Sequence, residues 1–151
     1  MKINLKNFAI NQIALAIKLT RNHNPMENAN GETILTNLLT YQSQIRIFHW
    51  QTKSYSQHKS FGKAYEMLDE KIDNFLETFF GKYGRIVSAS VFGIELDNFS
   101  PESFGEYNDE FIAFLTDELP GYLAEGDTDL LNIRDDILGA VNRLKYLLTL
   151  A

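Results

Sequence analysis

The chain has no cysteine, only three prolines and a single tryptophan among 151 residues. Without cysteine there are no disulfide frameworks, thiolate zinc sites, iron–sulfur ligands or thiol nucleophiles. That composition fits a reducing cytosol. No apolar run approaches the roughly 18 residues a membrane span requires. Met1 to Thr20 mixes Asn, Lys and Gln among its apolar residues, and lacks the continuous core and cleavage site of a signal peptide. Positive charge is also scarce. Fourteen Lys and Arg stand against 20 Asp and Glu, a net charge of −6, which argues against nucleic acid as a partner. The strands that an α/β fold would need are missing. With 44% apolar and 23% charged residues, the expected class is one soluble, intracellular globule. A chain of this length buries about two thirds of its unfolded surface and needs no covalent staple.

What is present is helical periodicity. Leu5, Phe8, Ala9, Ile13, Ala16 and Ile17 make Leu5 to Thr20 a short amphipathic helix. Arg21 to Gly31, rich in Asn with a Pro and a Gly, reads as a loop, so 1–31 form an N-terminal extension. The remainder, 32–151, reads as four helices. Glu32 to Lys53 carries the stripe Leu35, Leu38, Tyr41, Ile45, Phe48 and Trp50. After a polar break at Thr52 to Gln57, His58 to Tyr83 carries Phe61, Tyr65, Leu68, Ile72, Phe75, Leu76 and Phe79. Arg85 to Phe99 loses the period but stays apolar, which predicts that it packs against something. Ser100-Pro101-Glu102 is a helix-start signal. Phe104 to Leu115 follow at helical spacing until Pro120-Gly121 ends or kinks the helix. Asp127 or Thr128 caps a last helix that runs to about Leu150. One-sided apolar stripes on four helices bury best as a bundle. Two short links and a long middle link favour a ferritin-like crossover over simple up-and-down connection.

His49 and His58 lie close together in sequence. His49 continues an apolar stripe, where a satisfied core histidine is the commoner occupant. Taking about 100° per residue from His58, Asp69, Asp73, Glu66 and Glu77 fall near roughly 20°, 60°, 80° and 100°, bordering the buried face. Asp73 and Glu77 are one turn apart and can approach one ion together, although such a pair is more often a solvated face. Imidazole with carboxylate suits ferrous iron. An ordinary ferritin site needs Glu-x-x-His within a helix, and the sequence contains no such spacing.

The joint pattern resembles the Dps miniferritins. It consists of His49-Trp50, a short link, then His58 with Asp73 and Glu77 fifteen and nineteen residues later. Gly81 and Gly84, the stretch Gly126-Asp127-Thr128-Asp129-Leu130-Leu131, and Tyr146-Leu147-Leu148 add to the likeness, which spans roughly Thr33 to Leu150. The chain is also similar to short ferritin-like proteins of tailed phages, whose setting is the host cytoplasm. The resemblance implies an all-α, ferritin-like four-helix bundle preceded by an extra helix. It implies a homodimer or larger oligomer with His49 and His58 of one chain facing Asp73 and Glu77 of another. Iron would be the metal, no organic cofactor would be needed, Trp50 would lie beside the site, and the activity would be that of a ferroxidase. The chain departs from the pattern at Gly62, where an acid is usual. It also has a shorter His–His link, residues 1–31 without counterpart, and no Lys-rich DNA-binding tail. The alternative expectation is a non-catalytic bundle for assembly or partner binding that keeps only traces of the site.

Overall fold

The computed structural model describes residues 25–88 and 91–151, with side chains from Asn30 onward. The expected helix Leu5–Thr20 lies outside them. Four α-helices and no strands occur among the described residues: α1 Pro25–Gln51, α2 Tyr55–Tyr83, α3 Pro101–Ala113 and α4 Thr128–Leu148. The all-α expectation holds at that level.

Helix α1 begins at Pro25, seven residues before the expected start at Glu32. Proline suits a first helical turn, where its missing N–H would have had no partner. Gly31 is therefore not a breaker. A Cβ there would lie 2.8 Å from the Ile86 side chain, so the glycine is a notch that lets the segment after α2 close onto α1. Ile34, Leu38, Tyr41, Ile45 and Phe48 then recur at alternating steps of four and three, a coiled-coil-like seam that is fully buried.

Helix α2 starts at Tyr55, capped by Ser54, whose side chain accepts from the Gln57 amide. It is the central helix, packing most extensively on α1 and α4. Phe61, Leu68, Ile72, Phe75 and Phe79 face inward. Burial of such side chains contributes about 1.5–3 kcal/mol each. Gly84, at φ 87°, ends the helix in a conformation that other residues rarely adopt.

The crossover from Gly84 to Ser100 runs along α1 in the same direction. Ile86 sits at Gly31, and two glutamines fasten the far end. Gln44, fully buried, donates its amide to the Asp97 carbonyl and accepts from the Asp97 N–H, both at 2.7 Å. Gln51 accepts from the Phe99 N–H at 2.6 Å. Between these anchors the apolar residues expected to be packed are not. Val91, Phe92, Ile94 and Leu96 are exposed in this chain.

Ser100 and Ser103 form a reciprocal capping box with Pro101 in the first turn, as the sequence signal predicted. The end of α3 widens into a π-helical turn at Phe114–Glu118 and closes as a 3-10 turn at Leu119–Tyr122. The extra residue keeps Phe114, Leu115 and Leu119 all on the core side ahead of Pro120. Arg134 of α4 donates to the Leu115 carbonyl at 2.6 Å.

Asp127 holds the N-cap position of α4, but its side chain does not cap the helix. The buried carboxylate instead accepts from Lys82 at 2.7 Å, from the Tyr83 hydroxyl, and from the Ala124 N–H at 2.9 Å. Lys82 also reaches Asp129 at 2.5 Å. Burial pushes the Asp127 acid upward, yet these partners hold it below the usual carboxylate range. Lys82 is raised by the same two carboxylates. The cluster latches the C-terminal end of α2 to the turn before α4.

Candidate metal centre

The link between α1 and α2 is only Thr52–Ser54, so the end of one helix meets the start of the next. His49, in the last turn of α1, and His58, in the first turn of α2, stack with ring centroids 3.8 Å apart and planes 23° apart. The two residues are clasped reciprocally. His49 Nδ1 lies 2.8 Å from the His58 carbonyl oxygen, and His58 Nδ1 lies 2.9 Å from the His49 carbonyl oxygen. A carbonyl only accepts, so each neutral ring must carry its proton on Nδ1. That leaves Nε2 of both rings as a lone pair. Neither Nε2 has a hydrogen-bond partner among the described residues, and neither is a buried orphan. Fixing one ring nitrogen on a backbone carbonyl is the usual way a metal-ligating histidine is oriented.

Gly62 belongs to this arrangement. A Cβ at that position would sit 3.0 Å from His49 Cε1 and 3.2 Å from Nδ1. The ring lies directly on the α2 backbone there, and this space is what an acidic side chain would have needed. The absence of an acid at position 62 and the position of His49 are one structural fact. The Tyr65 ring meets His49 edge-on at 5.3 Å, and the Arg46 guanidinium lies over Tyr65 at 4.7 Å.

Asp73 and Glu77 are exposed on α2, far from the histidines. At 1.5 Å per residue, they stand about 22 and 28 Å along the helix from His58. One chain therefore cannot bring all four residues to one ion, and no group of three or more His, Asp or Glu suited to a metal occurs among the described residues. The structure brings the imidazoles together in one pair and leaves the carboxylates as a second pair. Between the pairs, Asp69 accepts from Gln42 and pairs with Arg46 at 3.4 Å. A groove along the α1–α2 seam is lined by Gln42, Arg46, Ile47, Trp50, Asp69 and Leu96. Trp50 is 65% exposed there, next to His49 in the chain. Sequence reading missed the reciprocal clasp and the glutamine clips. A polar residue on a buried stripe, as Gln44 is between Tyr41 and Phe48, was the available signal.

No helix among the described residues is long and apolar enough to cross a membrane. No solved structure matches the chain. A protein of Enterobacteria phage T4, described as an uncharacterized 14.6 kDa protein in the mobD-ri intergenic region, is 28% identical over 115 residues, covering 75% of this chain and 83% of that protein. Residues 49–148 match the model of a family of unknown function, DUF5856. That span contains both histidines, Asp73, Glu77 and the Asp127 latch, and on this match the chain belongs to the DUF5856 family.

Proposed function

We propose that this chain is a ferritin-like bundle that binds ferrous iron at a site shared between two copies. The observation that carries the reading is the His49–His58 clasp, which holds two imidazoles parallel with both Nε2 atoms left free. Two imidazole nitrogens with the carboxylates of Asp73 and Glu77 form a donor set that fits ferrous iron. A two-fold axis crossing the α1–α2 face near Glu66, about midway between the two pairs, would bring the histidines of each chain to the carboxylates of the other. Such an interface uses the same patch twice. The role of the chain is to hold donors in place. The redox step that the resemblance implies is oxidation of ferrous iron by peroxide or oxygen; with peroxide, two ferrous ions would give one electron each to one hydrogen peroxide, which takes up two protons and leaves as two waters. The phage T4 relative supports a setting in the cytoplasm of an infected bacterium.

Anaerobic ferrous-iron titration calorimetry tests the reading. His58→Ala and Asp73→Ala should each lose binding, and a mixed dimer of the two should recover one intact site of two. A mixed dimer without recovery rejects the shared site.

A second reading has its own support. Gly62 leaves no acid beside the histidines, and no three ligands come together among the described residues. In that reading the bundle serves assembly or partner binding and the histidine pair is a clasp on the helix link. It predicts that His58→Ala lowers stability while a folded, oligomeric wild type takes up no iron.

A further inference from the structure

The α1–α2 hairpin carries opposite charge at its two ends. Residues 33–65 hold Arg46, Lys53, Lys59 and Lys63 and no carboxylate, while residues 66–80 hold Glu66, Asp69, Glu70, Asp73 and Glu77 against one lysine, Lys71. Lys53, Lys59 and Lys63 are exposed, and so are all five carboxylates. Where the two halves meet, Arg46 pairs with Asp69 at 3.4 Å. Lys53, Lys59, Lys63, Glu70, Asp73 and Glu77 have no ion pair among the described residues. At about 100° per residue, Lys59 and Glu77 share one azimuth of α2, with Lys63, Glu66, Glu70 and Asp73 within about 40° of it. Each end also carries apolar surface. Trp50, level with Lys59 because His49 meets His58, is 65% exposed. At the acidic end, Leu39, Ile72 and Leu76 line an open groove of about 470 Å³.

We infer that a second copy of the chain docks on this face, antiparallel about a two-fold axis, with the basic end of each hairpin on the acidic end of the other. A surface whose two ends are opposite in sign is complementary to itself when turned end for end, and a two-fold contact uses each complement twice. Lys59 and Glu77 stand about 27 Å apart along α2, and Lys63 and Asp73 about 15 Å. Both pairs are centred on the level of Leu68, so one axis there sets Lys59 level with the other chain's Glu77 and Lys63 level with its Asp73. The same rotation carries Trp50 towards the end that holds the Leu39–Ile72–Leu76 groove. The area suffices. Two helices about 10–12 Å wide over about 27 Å offer about 600 Å² of face, so a pair of copies buries about 1,200 Å², within the range of stable interfaces. The pairing shares its face with the proposed iron site, and it needs no metal.

Charge reversal tests the docking in the full chain, by sedimentation in chelator at low salt. The wild type should be a dimer that weakens as salt screens the exposed charges. One variant carries Lys53→Glu, Lys59→Glu and Lys63→Glu, so both ends are acidic. A second carries Glu70→Lys, Asp73→Lys and Glu77→Lys, so both ends are basic. Each alone should dimerise at least about 100-fold more weakly, because like charges then face each other. Their equimolar mixture should regain a one-to-one dimer, since every end again meets its opposite. That recovery, with helix content measured for each variant, separates lost docking from lost folding. A wild-type dimer indifferent to both reversals, or folded variants that do not recover on mixing, would overturn the inference. Iron titration of the wild type is read separately. A metal-free dimer that follows the charge pattern and takes up no iron upholds the docking and rejects the iron site. A monomer that pairs only on adding ferrous iron does the reverse.

Discussion

Gly62→Ala should change the sign of its effect when His49 is removed. In an ordinary helix interior, glycine to alanine stabilises by about 1 kcal/mol. Here the new methyl would meet the His49 ring at 3.0 Å, so the ring must retreat by a few tenths of an ångström. It is not free to do so, because its Nδ1 is bonded to the His58 carbonyl at 2.8 Å and its face is stacked on the second imidazole. Losing or stretching that bond costs about 0.5–1.5 kcal/mol, and the displaced stack adds to the cost. In the wild-type background the propensity gain is cancelled, leaving no change or a loss of up to about 1 kcal/mol. In a His49→Ala background the obstacle is gone, and Gly62→Ala should stabilise by about 1 kcal/mol. The double-mutant cycle thus carries a coupling of about 1–2 kcal/mol. Denaturant unfolding measures it, at fixed protomer concentration so that association does not enter. At this chain length each 1 kcal/mol corresponds to about 2–4 °C in Tm. A full stabilisation by Gly62→Ala in both backgrounds would refute the close ring-on-helix packing.

Asp127→Asn removes a buried charge that accepts from Lys82, Tyr83 and Ala124, and should cost about 2–3 kcal/mol in urea unfolding. Because the folded carboxyl titrates below its unfolded value, its contribution is present above about pH 4 and is lost as pH falls through the lower folded value. The variant's stability should therefore fall less steeply than the wild type's at acid pH, and parallel curves would exclude the latch. Tyr41→Phe strips the buried hydroxyl that donates to Asn108 at 2.8 Å, leaving the amide oxygen without its donor. A loss of about 1–3 kcal/mol is expected. An unchanged midpoint would show that water reaches the amide.

The helices were legible because their apolar faces repeat. The seam of Leu38, Tyr41, Ile45 and Phe48 and the α2 face from Phe61 to Phe79 follow from spacing alone. The start of α1 was not legible, because Gly31 reads as a breaker in sequence and acts as a packing notch against a residue more than fifty positions away. The apolar crossover misled for a related reason. Val91, Phe92 and Ile94 look like core, but hydrophobicity carries no information about which surface meets which. At the candidate centre, the proximity of His49 and His58 could be read from the short link. Their reciprocal bonds depend on ring orientation and could not. The separation of Asp73 and Glu77 from the histidines was implicit in helical rise, and it is why the chain by itself offers two half-sets of ligands.

The crossover also decides the order in which this fold can assemble. Helices α1 and α2 meet across a three-residue link, so their hairpin can close locally and early. The extensive α2–α4 interface has to close a loop containing both the crossover and α3, and such non-local pairing is slow to form. Once that closure is made, however, loop entropy rises only with the logarithm of length. Doubling a loop costs roughly 0.6 kcal/mol. The stretch between Ile86 and the Gln44 clip at Asp97 is therefore where this fold can lengthen or shorten at little thermodynamic penalty, with the consequence falling mainly on the rate of folding.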